Sequence, residues 1–170
     1  MMSTSDVCDI AWIVRLGTKT MKMFASATMV ALMLAGAATA QDASLNATYG
    51  EVSLRAGFTP DPYAVSVTAG GSVNGGALPG ACTGMIANAP DFEVTYSAGS
   101  LPLVFRTLSG TDTTLIINGP DGRWYCDDDS YGDGDAMVRF NRPQSGTYDV
   151  WVGVFGGDSA SATLQITETP

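Results

Sequence analysis

The chain has 170 residues, with 8 Lys or Arg, 17 Asp or Glu and no histidine, for a formal net charge of −9. From Gln41 onward there are five arginines, no lysine and 15 acidic residues, so that part alone carries −10. So acidic a balance argues against nucleic acid and anionic membrane surfaces as partners, since both need a basic footprint.

Residues 1–20 place Asp6 and Asp9 where a basic leader region belongs and add an apolar patch from Ile10 to Leu16. They read as an extension upstream of a start at Met21 or Met23. Lys22 then precedes an uncharged run, Met23 to Ala40, with an apolar centre from Met29 to Ala35 and the small-residue end Ala38-Thr39-Ala40. Residues 21–40 therefore read as a secretory signal peptide cut before Gln41. A membrane anchor is the competing reading, because a run of this length can just span about 30 Å of hydrocarbon. Its richness in Ala, Gly, Ser and Thr and its cleavage-type end favour the signal. No cysteine stands at the junction, so no lipid anchor is suggested, and no membrane insertion is expected after cleavage.

Residues 41–170 are then enough for one domain with a proper core. Cys82 and Cys126 stand 44 positions apart in it, and an exported chain meets an oxidising compartment, so a disulfide between them is expected. Two buried free thiols are the competing reading. In the chain-entropy account, closing a loop of that size is worth about 4 kcal/mol.

Glu51 to Arg55 reads as an edge strand, and Thr59-Pro60-Asp61-Pro62 predicts an extended approach to the domain. Tyr63 to Thr68 alternates apolar and polar, the period of a half-buried strand. Ser72 to Pro90 is mostly Gly, Ala, Ser, Asn and Pro and predicts a long loop pinned by Cys82. Phe92 to Tyr96 and Leu101 to Arg106 flank Ala98-Gly99-Ser100 and predict a hairpin, with Pro102 setting its strand at an edge or near a strand start. Thr113 to Ile117 runs into the turn Asn118 to Gly122, and Arg123 to Cys126 returns. Ala136 to Phe140, the turn Pro143 to Gly146, Thr147 to Phe155 and Ala162 to Glu168 complete the chain. No window beyond Gln41 keeps a 3.6-residue apolar period, and turn signals recur about every 8 to 12 residues. The fold class is therefore all-β, a two-sheet antiparallel, jelly-roll-like β-sandwich of about eight or nine strands.

The segment Trp124 to Asp135 concentrates Asp127, Asp128, Asp129, Asp133 and Asp135 between two strands. Like charges cost about 1 kcal/mol per pair at 4 Å even in water, and a hard divalent cation removes that penalty. Calcium takes about six to eight oxygens in a forgiving geometry, and Gly132 and Gly134 let a loop fold around it. Calcium is thus the expected cofactor and these five aspartates its expected ligands. A solvated acidic hairpin is the competing reading. An EF-hand pattern fails at Tyr131 and at the missing closing glutamate, and the glycine-rich calcium repeat occurs only once and lacks its aspartate.

Without an imidazole, and without lysine beyond Lys22, Ser-His-Asp, Cys-His and Ser-Lys hydrolysis all lack a proton carrier. No Gly-x-Ser-x-Gly elbow occurs after Gln41, and zinc sites built on His or clustered thiolates are excluded. Paired carboxylates leave glycoside chemistry open. Trp124, Tyr131 and Trp151 are candidate ligand-facing aromatics, packing being the competing role. Tyr148, two residues after Gly146, is placed to hydrogen-bond back across its turn as a tyrosine corner does.

The run of Asp112, Leu115, Ile117, Pro120-Asp121-Gly122, Asp127-Asp128-Asp129, Pro143, Gly146, Tyr148, Val150 and Val152 resembles the bacterial pre-peptidase C-terminal domain, a β-sandwich module commonly attached to secreted proteases. Gly57 to Pro62 is similar to small exported bacterial proteins that carry such a domain alone. The resemblance implies the sandwich and a cation site. A protease label would be inherited by association only, and the cysteine pair lies outside the family pattern. The combined expectation is an exported protein, periplasmic or extracellular, acting as a non-catalytic binding module for a protein or envelope-glycan partner, with calcium stiffening the acidic loop. The alternative is a structural or self-assembling cell-surface protein, and the third reading a secreted hydrolase.

Overall fold

The computed structural model describes residues 41–169; the leader assignment for residues 1–40 lies outside the described residues. Eleven strands follow one another: β1 (Glu51–Arg55), β2 (Tyr63–Ala69), β3 (Val73–Asn74), β4 (Met85–Ile86), β5 (Phe92–Ser97), β6 (Leu103–Ser109), β7 (Thr113–Asn118), β8 (Trp124–Asp127), β9 (Met137–Phe140), β10 (Gly146–Val154) and β11 (Ala160–Thr167). Among the described residues there is no α-helix, and so no helix long and apolar enough to cross a membrane.

Eight of these strands carry the architecture. One sheet runs β5-β10-β7-β8 and the other β2-β11-β6-β9, and the chain crosses between them in the order of a jelly roll. The three remaining strands attach to the first sheet, which accounts for the excess over the expected eight or nine. β1 pairs in parallel with β5, from Glu51 opposite Glu93 to Arg55 opposite Ser97. β4 joins β10 at Val154 opposite Met85, and β3 pairs β4. The sandwich is thus antiparallel except along β1.

The alternation of apolar and polar residues decides which face is buried. Val94 and Tyr96 of β5, Leu115 and Ile117 of β7, and Val150, Val152 and Val154 of β10 meet Leu103 and Phe105 of β6 and Ala162, Leu164 and Ile166 of β11, all of them buried. Each such aliphatic side chain contributes about 1.5 to 3 kcal/mol relative to exposure. At one end Phe105, Tyr125, Phe140 and Tyr148 pack with ring centroids 4.8–6.0 Å apart.

Two sequence-based expectations are corrected here. The segments around Ala98-Gly99-Ser100 are not a hairpin: β5 belongs to the first sheet and β6 to the second, so the connection crosses the sandwich. The stretch from Ser72 to Pro90 is not only loop, since it contributes β3, β4 and a single 3-10 turn at Gly75–Ala77. It lies flat on the outer side of the first sheet, where Val73, Cys82, Ile86, Ile116 and Trp151 form a second, smaller core. Its glycines follow from that closeness. A Cβ on Gly75 would stand 2.5 Å from Cδ1 of Ile116, and Gly84 adopts φ +87°, which side chains rarely accept. The expected Cys82–Cys126 disulfide is present, with its Cα atoms 5.0 Å apart, and fastens this cover to β8.

Along one edge β10 changes partner from β5 to β4, and Asp91 fills the junction. Its N–H donates to the Val150 carbonyl at 2.8 Å, and its carboxylate accepts the Val152 N–H at 2.7 Å. Burial pushes this carboxyl up to about 7.

Candidate functional site

The acidic loop joins β8 in the first sheet to β9 in the second, and its aspartates divide into different roles. Asp127 is a local cap: its Oδ2 accepts the N–H of Ser130 at 2.9 Å and of Met137 at 2.8 Å, and the Ser130 hydroxyl donates to its Oδ1. Asp135 is buried and accepts the Thr113 hydroxyl at 3.3 Å, while burial raises its carboxyl above the ordinary range. Gly132, Asp133 and Gly134 all have positive φ, at 96°, 55° and 78°, and the turn closes through Asp135 N–H to the Gly132 carbonyl at 2.9 Å. Asp128 and Asp129 are neighbours of Asp112, whose carboxyl is raised by burial and then by their two charges. Among the described residues no three Asp, Glu or Cys side chains come together so as to hold a metal ion. Of the five expected calcium ligands, Asp127 and Asp135 accept hydrogen bonds from protein donors.

The three aromatics also separate. Trp151 is fully buried in the second core, so it faces no ligand: the cover from β3 to β4 closes over it. Trp124 is half-buried and packs on Trp151 with centroids 5.4 Å apart, on the outer side of the first sheet. Tyr131 is exposed and lies 4.8 Å beneath the guanidinium of Arg106, which projects from the outer side of the second sheet. Trp124 and Tyr131 thus belong to opposite outer faces.

What gathers polar chemistry on one surface is the register of the first sheet. Glu51 of β1 stands opposite Glu93 of β5, Glu93 opposite Asp149 of β10, Asp149 opposite Asn118 of β7, and Asn118 opposite Trp124 of β8. Their chain neighbours Val52, Val94, Val150, Ile117 and Tyr125 pack into the main core, so all five row residues point the other way. Successive members are about 4.8 Å apart, the spacing between strands. Asp149 is 8% exposed, and its Oδ1 has no hydrogen-bond partner. Burial, then the charge of Glu93, pushes its carboxyl up to about 6. An open depression of about 400 Å³ lies at one end, lined by Asn46, Ala47, Gly50, Glu51 and Glu93. A second of about 400 Å³ lies at the other, lined by Pro79, Gly80, Gly122, Arg123 and Trp124. The one ion pair among the described residues, Arg123 to Asp121 at 3.8 Å, leaves all three carboxylates of the row unneutralised.

Sequence reasoning missed this row because its members come from five separate segments. The only available signal was an acidic residue at an outward position in each of β1, β5 and β10.

No family model matches the chain, and no curated protein does. The pre-peptidase C-terminal resemblance accordingly stands on the Asp112 to Val152 pattern alone. Among solved structures, the chain is similar to Aeromonas hydrophila PliG, a periplasmic lysozyme inhibitor of g-type lysozyme. The identity is 14% and the TM-score 0.35, over 69% of this chain and 96% of that one.

Proposed function

We propose that this protein is an exported, non-catalytic binding module that engages a protein or envelope-glycan partner through the outer side of its first sheet. The observation that carries this reading is the in-register row Glu51, Glu93, Asp149, Asn118 and Trp124 on the outer side of the first sheet, with Glu51 exposed, Glu93, Asn118 and Trp124 half-buried and Asp149 buried, between two depressions. Export is supported by the Met23 to Ala40 leader pattern and by the Cys82–Cys126 disulfide. A non-catalytic role is supported by the lack of histidine and lysine from Gln41 onward, which removes the usual proton carriers.

The test is a binding screen of the folded protein against a glycan array and a panel of basic, neutral and acidic proteins, repeated with the double variant Glu93→Gln, Asp149→Asn. Binding that the double variant loses supports the reading. Binding that persists unchanged, or turnover in a hydrolase screen that the double variant abolishes, overturns it.

A further inference from the structure

The margin of a sheet leaves backbone N–H and C=O groups without a neighbour, and a folded chain ordinarily covers or blunts them. Other margins of this sandwich are managed within the chain. At β2 the Thr68 N–H donates to the Tyr49 hydroxyl at 2.9 Å, and between β8 and β9 the Asp127 carboxylate accepts the Met137 N–H at 2.8 Å. β1 is different. Its neighbour in the sheet is β5 alone, and the Gly50 carbonyl and the Ala56 N–H that flank it both bond to that strand. Alternation then turns Val52 and Leu54 toward β5 as well, and turns the N–H and C=O groups of Glu51, Ser53 and Arg55 to the open side. These three residues are exposed, and neither proline nor lysine interrupts the strand. An open depression of about 550 Å³, lined by Ser53, Leu54, Arg55, Phe58 and Thr59, lies against it.

The sequence of β1 carries its own complement. Glu51 and Arg55 bracket Ser53 at equal distance on one face of the strand. Four residues of strand set the two charges about 13 Å apart, too far to pair within the chain, and the one ion pair among the described residues is Arg123 with Asp121. We propose that a second copy of this chain adds its own β1 here, antiparallel, with Ser53 opposite Ser53 of the second copy and Glu51 opposite Arg55 in both directions. The residues whose backbone groups face the open side are then directly opposed, each pair exchanging two hydrogen bonds, so about six bonds join the copies. Two Glu–Arg pairs form on the outer face, and Val52 meets Leu54 on the inner one. Slipping by two residues sets Glu51 or Arg55 against Ser53, and slipping by four sets Glu51 against Glu51 or Arg55 against Arg55. Charge therefore selects one register. The pairing is isologous, so it closes at two copies and joins their first sheets into one. Glu51, next to Glu93 in the acidic row, gains a cation from the second copy whatever ligand the outer face takes.

The test is sedimentation of the protein purified after export, from about 10 µM to 1 mM in about 0.15 M salt, where repulsion between two domains of net charge −10 is screened beyond about 8 Å. A two-strand contact is small for a specific interface, so dimer should appear toward the upper end of that range. Glu51→Arg alone and Arg55→Glu alone each set like charges opposite one another twice and should weaken the dimer at least about fivefold, even though the first reduces the overall negative charge. The double exchange Glu51→Arg, Arg55→Glu should restore association to within about threefold of the parent, and the two single variants should pair with each other better than with themselves. Ser53→Pro removes an N–H that β5 does not use and should abolish the dimer while circular dichroism stays unchanged. Should that variant fail to fold, the charge variants decide. Monomer throughout the range overturns the proposal, as does a dimer indifferent to the charge exchange or a species that grows past two copies with concentration. A monomer that instead takes a foreign extended peptide along β1 also overturns it and assigns the edge to another protein's strand.

Discussion

The phenolic hydroxyl of Tyr148 donates to the Gln144 carbonyl at 2.8 Å and accepts the Gln144 N–H at 3.0 Å, so one side chain pairs both backbone polar groups of a single residue across the turn into β10. The ring itself is buried against Phe105 and Phe140. Tyr148→Phe keeps the packing and removes both hydrogen bonds. It should destabilise the domain by about 1 to 3 kcal/mol, the sum of two bonds of ordinary strength. A urea melt with an unchanged slope and a lower midpoint is the expected record.

Asp91 makes stability depend on pH. Its carboxyl titrates near 7 in the folded chain, against about 3.9 when unfolded, so between those values the folded state holds more protons than the unfolded one. Stability is therefore highest below about pH 4 as far as this group is concerned, and falls as pH rises through 7. Asp149, pushed up to about 6 by the same cause, acts in the same direction. Asp91→Asn keeps an acceptor for the Val152 N–H and should flatten the slope, matching the parent near pH 4 and exceeding it by a few kcal/mol at pH 8. Asp91→Ala, which leaves that N–H without its partner, should lose stability at every pH. Thermal melts across pH 4 to 8 would separate the three proteins.

The disulfide holds the cover over the second core rather than the main one. Replacing Cys82 and Cys126 together by Ser should cost about 2 to 4 kcal/mol. Hydrogen exchange should show amides from Gly75 to Ile86 losing protection first, with β6 and β11 affected only through the global change. Uniform loss across both sheets would contradict that division.

In the acidic loop the hydrogen bonds of Asp127 and the charge crowd around Asp112 predict opposite signs for two similar changes. Asp127→Ala removes an acceptor for two backbone N–H groups and should lower the melting temperature by several degrees. Asp129→Asn relieves a like charge near Asp112 and should raise it by about 1 to 2 °C at low salt, the gain fading at high salt. Melts repeated with several millimolar calcium test the expected cation site: a rise in melting temperature that is lost in Asp128→Ala, Asp129→Ala supports it, and no rise overturns it.

Local alternation made the strands legible wherever one face was buried, as in Tyr63 to Thr68 or Thr147 to Val154. The Tyr148 corner could be anticipated because its partners lie within one turn. The wiring was harder. A short Gly-containing link such as Ala98 to Ser100 serves equally for a hairpin and for a crossing between sheets, and only the three-dimensional partners of Tyr96 and Leu103 distinguish them. β3 and β4 are two residues each, too short for any period. Trp151 alternates with Val150 and Val152 as an outward residue should, and its burial comes from a cover more than 60 positions earlier in the chain. The acidic run from Asp127 was conspicuous in one dimension, whereas Glu51, Glu93 and Asp149 became neighbours only through the pairing of three strands.

Trp124 and Trp151 are the only indoles from Gln41 onward, and their contact places both on the same side of the first sheet. The second sheet and the core between them contain only phenyl and phenol rings. Emission excited near 295 nm therefore reports on one layer of the molecule. Docking on that layer would be seen without any label, while events confined to the β2-β11-β6-β9 surface would pass optically silent.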